Sequence, residues 1–316
     1  MMRSQRHRSF AAALPILASV LLTACGSAAS GVLGTAPAGS AGAASIPPPS
    51  GEPTPGPIAS PGPTPGPTQS PATTTVRAYF ILGSFTDNAG LVPVLREIPA
   101  TEAVGAAAMT ALLAGPNDAE LGARPAMYTA IPEGTRFLGL DVAGGIATVN
   151  LSREFESGGG SASVLQRLAQ VVYTLTQFPT VKGVELQLDG EPVDVLGGDG
   201  KVLRQPATRD DYTSQLPVIF VDQPAWGGVA DNPARITGVA NAFEATFQAR
   251  IADGDGRGLA QAVVTAECGT GCWGAFDVTI PYTVSAEGWG TLQVYELSAR
   301  DGTVISLTEY PIWLTP

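Results

Sequence analysis

Three groups of residues in this sequence have types and spacing that could do chemistry. Cys268 and Cys272 flank Gly269-Thr270-Gly271, glycines that let the backbone turn sharply enough to bring two sulfurs together. In an oxidising compartment a disulfide is the expected product. The spacing is not Cys-x-x-Cys, which argues against a redox pair, and a zinc site would need further thiol or imidazole ligands. Asp253-Gly254-Asp255-Gly256-Arg257-Gly258 has the carboxylate density of a calcium loop. An EF-hand starting at Asp253 would need a bidentate glutamate where Val264 stands, so an acidic hairpin turn is expected instead. Gly158-Gly159-Gly160 precedes a helical pattern and could cradle phosphate. It lacks the Walker lysine and the Rossmann spacing, and a flexible loop is the expectation.

Other chemistries lack their residues. The only histidine is His7, near the amino terminus, and the only lysines are Lys182 and Lys201, each beside a glycine. If the leader is removed, His7 goes with it, and serine–histidine or cysteine–histidine nucleophiles go too. Asp210 and Asp211 are neighbours in sequence, which does not make a catalytic dyad. Carboxylates brought together from distant positions leave glycosidase chemistry open. The expectation is therefore no catalytic residue, no cofactor and no metal ligand set.

The third cysteine carries an address. Arg3, Arg6 and Arg8 form a basic start, and an apolar stretch runs from Phe10 to Leu22, followed by Leu22-Thr23-Ala24-Cys25. That order is the pattern of an export signal, and the stretch is too short for a membrane-spanning helix of about 20 residues. Leu-Thr-Ala-Cys resembles the lipobox of bacterial lipoproteins. The resemblance implies cleavage after Ala24 and lipid on Cys25, with two acyl chains giving stable attachment. Loss of residues 1–24 removes three arginines and leaves 14 basic and 28 acidic residues, a formal charge of −14 against −11 for the whole chain. Nucleic acid and anionic membrane surfaces are excluded as partners by that balance, since both require clustered positive charge.

From Cys25 to Thr75 the composition is Gly, Ala, Ser and then Pro, with Glu52 as its only charge and no aromatic residue. Such a segment cannot bury a core and reads as a disordered tether, with a reach on the order of 50–100 Å. Two domains are expected after it, at 76–212 and 217–316, with the polar run Arg209 to Ser214 before the boundary at Leu216-Pro217.

In the first, Val76 to Leu82 reads as a buried strand, and Val92 to Ile98 as a second, with Pro93 placing it at an edge or at a strand start. Thr101 is the expected cap of a helix carrying Val104, Ala107, Ala108, Ala111 and Leu112, stopped by Gly115-Pro116. A hairpin turns at Gly144-Gly145. A longer helix puts Val164, Leu165, Leu168, Val171, Val172, Leu175 and Phe178 on one face and Gln166, Arg167, Gln170 and Thr174 opposite. Val184, Leu186 and Leu188 alternate into a strand ending at Asp189-Gly190. The fold class is α/β, a mixed sheet with both helices on one face.

Several motifs in this stretch, Leu91 to Arg96, Leu112 to Pro116, Thr129 to Thr135, Val172 to Pro179 and Thr208 to Tyr212, together resemble the GerMN domain of sporulation and spore germination proteins. The resemblance implies a fold related to the ring-building modules of envelope secretion-like assemblies, and it implies no catalytic residues.

The second half lacks helical periodicity. Phe243, Ala245, Phe247, Ala249 and Ile251 alternate with polar residues, and turn signals recur over about 100 residues. An all-β immunoglobulin-like sandwich is expected. Trp226, Trp273, Trp289 and Trp313 all fall here; core packing is expected for each, a binding face being the alternative. Ile236 to Glu244 and Val294 to Gly302 are similar to the immunoglobulin-like domain that follows GerMN in germination-related proteins.

The combined expectation is an extracytoplasmic lipoprotein, lipid-anchored to the cell membrane and not an enzyme. It would act as an interaction or scaffold module in the cell envelope, with a link to sporulation or germination implied by the resemblance. Its partners would be the membrane, through the lipid, together with envelope proteins or peptidoglycan. The rival readings are a solute- or wall-polysaccharide-binding lipoprotein and a carboxylate-based wall hydrolase.

Overall fold

The apolar run after the tether forms β1 (Thr73–Leu82), with Val76, Ala78, Tyr79, Phe80, Ile81 and Leu82 all buried. The computed structural model describes residues 72–83, 90–197 and 200–316, all of which fall within one compact unit. The leader, Cys25 and the tether up to residue 71 lie outside the described residues. A strand apolar on both faces needs cover on both, and β1 is the middle strand between β2 (Gly90–Pro99) and β3 (Met127–Tyr128). Pro93 faces Tyr79 from β2, an edge strand of this sheet, where a missing N–H is tolerated.

Helix α1 (Val104–Leu113) stops before Gly115, whose φ of +79° suits glycine. Its start differs from expectation: the N-cap is Ala103, and Thr101 Oγ1 accepts only from the Ala103 N–H, at 3.1 Å. A short helix α2 (Asp118–Leu121) follows, fixed by reciprocal hydrogen bonds between Asn117 and Glu120. The hairpin of β4 (Phe137–Ala143) and β5 (Ile146–Leu151) turns at Gly144-Gly145. After α3 (Ser161–Leu175), β6 (Gly183–Leu188) returns parallel to β5, and β7 (Glu191–Pro192) folds back through Asp189-Gly190. β8 (Val195–Leu196) and β9 (Lys201–Val202) make a small ribbon.

The α/β character stands, but the strands lie in two sheets rather than one: β2-β1-β3, and the mixed sheet β4-β5-β6-β7. Both α1 and α3 touch both sheets. Enclosure on so many sides explains a second difference. Gln166, Arg167, Gln170 and Thr174, expected on a solvent face of α3, are buried. Burial of polar groups is tolerable when hydrogen bonds replace water. Gln170 Nε2 donates to the Tyr79 carbonyl at 2.8 Å and its Oε1 accepts from the Ala130 N–H at 2.8 Å, stitching α3 to β1 and to the loop after β3.

The second half is a sandwich of eight strands. β10 (Ile219–Gln223), β12 (Ala234–Ala240) and β15 (Gly274–Ile280) form one sheet. The other orders β11 (Val229–Ala230), β17 (Val304–Leu314), β16 (Gly288–Leu297), β13 (Thr246–Asp253) and β14 (Gly258–Thr265). Phe247 and Phe276 meet between the sheets with ring centres 4.9 Å apart. The alternation that begins at Phe247 holds, with Ala249 and Ile251 buried, but Phe243 and Ala245 do not belong to it. Residues 243–245 form a tight turn in which Glu244 and Ala245 take left-handed φ of 53° and 60°, leaving Phe243 exposed.

None of the four tryptophans is fully buried, contrary to the expected core placement. Trp226 and Trp273 lie half-buried against the core, while Trp289 is 57% exposed and meets Trp313 edge to face at 5.3 Å. The side chains of the sandwich instead meet around Phe247, Phe276 and Tyr310, which leaves the larger indoles at its margins.

Candidate functional site

The junction between the two halves is built around one carboxylate. Asp222 near the end of β10 accepts a 2.6 Å hydrogen bond from the Tyr79 hydroxyl of β1. Arg77, two residues before Tyr79, donates to the other carboxylate oxygen at 3.2 Å, and Arg209 Nη1 lies 3.8 Å from it. Positions 77 and 79 share a face of β1 because side chains alternate along a strand. Arg209 opens a 3₁₀ segment (Arg209–Gln215), and its guanidinium lies 4.6 Å from the Tyr173 ring centre of α3. Tyr79, Tyr173 and Phe220 complete the cluster, with ring centres 5.6–6.5 Å apart. The polar run before Leu216-Pro217 is therefore packed in place: Asp211 accepts from Thr208, and Tyr212 is buried.

Burial, reinforced by the Asp222 carboxylate, pushes the Tyr79 phenol far above its usual range; burial does the same to Tyr173. Tyr310 is raised for the same reason, and its hydroxyl accepts from the Val221 N–H at 3.2 Å. Tyr212 is pushed up to about 12 by burial. These phenols are neutral hydrogen-bonding groups at ordinary pH, and the carboxylate and guanidiniums are committed to one another. The arrangement clamps; its groups are not free to transfer protons to a substrate.

A second strap completes the junction. The Trp226 N–H donates to the Pro93 carbonyl of β2 at 2.9 Å, while Gly227 N–H donates to the Pro311 carbonyl of β17 at 2.8 Å. The loop 224–228 thus ties an edge strand of the first half to the second half. Beside it lies a groove of about 600 Å³ between the halves. Trp226, Trp289 and Pro311 line it on one side, and Arg96, Glu120 and Arg124 on the other. Glu120 is buried and holds Arg96 in a two-pronged ion pair at 2.6 and 2.7 Å. Its size and its place at a domain junction are those of a ligand site.

The residues singled out from sequence fare differently. Cys268 and Cys272 are joined as a disulfide. Their loop braces the turn at 243–245: Thr270 N–H donates to the Ala242 carbonyl and Gly271 N–H to the Asn241 side chain. Asp253 spends its carboxylate on its own hairpin, accepting from the Arg257 N–H at 2.9 Å and the Arg257 Nε at 3.0 Å. The Gly158 loop is not free. Its carbonyls at Ser157 and Gly158, with that of Phe155, receive the guanidinium of Arg167, which is 1% exposed. Cys25 lies outside the described residues. Among the described residues, none of these groups lines the groove. Asp222, Tyr79 and Trp289 stand far apart in sequence, and no local spacing marks them; the one available signal was four tryptophans in a single acidic half.

Comparison with known proteins accords with this architecture. Residues 77–194 match the family model described as sporulation and spore germination, and residues 218–303 match the immunoglobulin-like domain of bacterial spore germination. Lipoprotein LpqB of Thermobifida fusca is 32% identical over 137 residues, 42% of this chain. The match spans only 20% of that relative's length. The first GerMN domain of the sporulation protein GerM from Bacillus subtilis is 20% identical, covering 44% of this chain and 99% of its own, with a TM-score of 0.36. The tandem GerMN domains of the same protein are 16% identical over 68% of this chain and 63% of theirs, with a TM-score of 0.38. The chain therefore carries a GerMN domain followed by a germination-associated immunoglobulin-like domain.

Proposed function

We propose that this protein is an extracytoplasmic lipoprotein, anchored through Cys25, whose two domains act as one non-enzymatic binding module in the cell envelope. The observation that carries this reading is the clamp at Asp222, which receives Tyr79, Arg77 and Arg209 across the junction. Two domains fixed this way present a single composite surface, where a flexible linker would leave them independent. The groups that most resemble catalytic machinery, the Asp222 carboxylate and the guanidiniums of Arg77 and Arg209, are spent on holding the junction. A GerMN domain followed by its immunoglobulin-like companion, and likeness to a lipoprotein over 42% of the chain, support the envelope setting and a link to sporulation or germination.

The test is made in the native host. Metabolic labelling with an alkyne fatty acid should tag the wild-type chain and leave a Cys25→Ser variant untagged in the medium. Cross-linking should recover an envelope protein whose capture depends on residues 76–316. Purified chain incubated with peptidoglycan should release no soluble fragments; steady fragment release would make it a wall hydrolase and overturn the proposal.

A further inference from the structure

We infer that the groove between the domains binds the glycan strand of the cell wall, a deepening of the reading above that rests on it. The floor of the groove is part of the outward face of β16 and β17, where Trp289, Thr291, Pro311 and Glu309 line it and Trp313 and Gln293 flank them. Along it, Trp289 pairs with Trp313, Thr291 with Pro311 and Gln293 with Glu309. Side chains two apart on a strand share a face, so these three rows form one continuous strip. From the tryptophan row to the Gln293 row is about 14 Å at the strand rise of roughly 3.4 Å per residue. The strip therefore begins with exposed aromatic surface and ends in oriented polar groups.

Those polar groups are held in place beforehand. Gln293 Nε2 donates to Glu309 Oε1 at 2.5 Å, and Arg250 Nη1 of β13 donates to Gln293 Oε1 at 2.5 Å. Glu309 keeps its second carboxylate oxygen for a ligand, and its side chain is exposed at the groove. On the facing wall, Arg124 is exposed, and the Arg96–Glu120 pair is locked. Groups fixed by their neighbours lose little entropy on binding.

The chemistry selects the ligand class. A pyranose ring offers an apolar C–H face that packs on an indole and a rim of hydroxyls and amides that hydrogen-bond carboxylate and amide side chains. A strip with indoles at one end and Gln293 and Glu309 about 14 Å away matches a chain of such rings. A lipid tail would need continuous apolar walls, and this groove has Arg96, Glu120, Arg124 and Glu309 in its lining. An anionic polymer is disfavoured by the formal charge of −11. Among glycans, wall strands also carry isolated stem-peptide carboxylates, each of which the exposed Arg124 can receive without the strand being a polyanion.

The experiment uses the full-length chain purified in mild detergent. It should co-sediment with purified peptidoglycan sacculi, and hexameric β-1,4-linked N-acetylglucosamine should displace it while hexameric glucose does not. Trp289→Ala and Glu309→Ala should each weaken binding roughly tenfold or more, the loss expected of a central contact. Both residues are exposed, so each variant should melt within a few degrees of wild type, and a Gln248→Ala variant on the same sheet provides a folded control with unchanged binding. Failure of sacculi to retain the wild-type chain, or equal retention of Trp289→Ala, would overturn the inference. If a peptide of residues 53–67 quenches Trp289 and the hexamer does not, the groove belongs to the chain's own proline-rich segment and the glycan reading falls. Cross-linking to an envelope protein that survives Trp289→Ala would leave the broader function standing while removing this one.

Discussion

The inter-domain junction has two parts of opposite character. Around Asp222 it is closed: three partners converge on one partly buried carboxylate, beside the packed rings of Tyr79, Tyr173 and Phe220. At the groove it is open: Trp289 is 57% exposed, and the carboxylate of Glu309 is oriented by Gln293 but left at the surface. Both parts use aromatic and charged residues. The difference lies in who satisfies whom. In the closed part the protein completes its own interactions and gains rigidity. In the open part it orients its groups and leaves them incomplete, which is the condition for recognising something else. A protein can keep such an unsatisfied surface only if other contacts fix the domains around it.

Measurements can break this contrast, and the largest effect should come from alkali. Burial raises the phenols of Tyr79, Tyr173 and Tyr310 above the unfolded value of 10.0. Below about pH 10 they are neutral in both states and their stabilisation is complete. As pH rises further, unfolded phenols ionise while the buried ones hold their protons, so stability falls steadily with pH. Urea melts from pH 8 to 11 should show that decline, and the absorbance change lost on replacing Tyr79, Tyr173 or Tyr310 by Phe should be one that appears only with unfolding. Early ionisation of these phenols in folded protein would mean the closed part is wet.

Next in size is Asp222→Ala. It strands two partly buried guanidiniums and the Tyr79 hydroxyl, and should cost about 3 kcal/mol in urea unfolding, the usual penalty for breaking a shielded pair from one side. Asp222→Asn should lose less, since its amide oxygen still accepts from Tyr79. Loss of cooperativity, seen as two transitions in place of one, would sharpen the comparison by showing that this carboxylate couples the domains. Reduction of Cys268–Cys272 comes third, at about 2 kcal/mol or less because the closed loop is so short. Protection of amides at 241–246 in hydrogen exchange should fall with it, as that turn rests on the loop. The smallest effect belongs to the open part: Trp289→Ala should cost about 1 kcal/mol, the worth of its edge-to-face contact with Trp313. A cost as large as that of Asp222→Ala would mean that Trp289 is structural and erase the contrast.

How much of this was readable in advance depended on whether the cause was local. The Gly144-Gly145 hairpin, the stop at Gly115 and the β6 alternation follow from backbone sterics and period, and all appear as expected. The polar side of α3 misled because amphipathic period reports one apolar stripe, whereas this helix is enclosed by β1, β6 and the 3₁₀ segment at once. Gln170 is buried because a strand carbonyl at Tyr79, 91 residues away, takes its hydrogen bond. Phe243 looked like a strand residue by alternation. The disulfide loop instead holds its turn in left-handed geometry, and nothing in the period encodes that. The tryptophans were assigned to the core by their hydrophobicity alone, although indoles also suit surfaces where one side is wet.

The sequence alone determined the order of parts: a basic and apolar start ahead of Cys25, a Pro- and Gly-rich stretch, an α/β half and an all-β half, since composition and hydrophobic period are properties of short windows. It also determined the acidic charge and the scarcity of proton-shuttling side chains. The tertiary structure decided the rest. It brought Asp222 within reach of Tyr79, 143 positions away, converted a polar run into a packed brace anchored by the buried Tyr212, and set Trp226 and Trp289 around one groove. Those pairings come from strand register and domain docking, where free energy depends on residues that no local window contains.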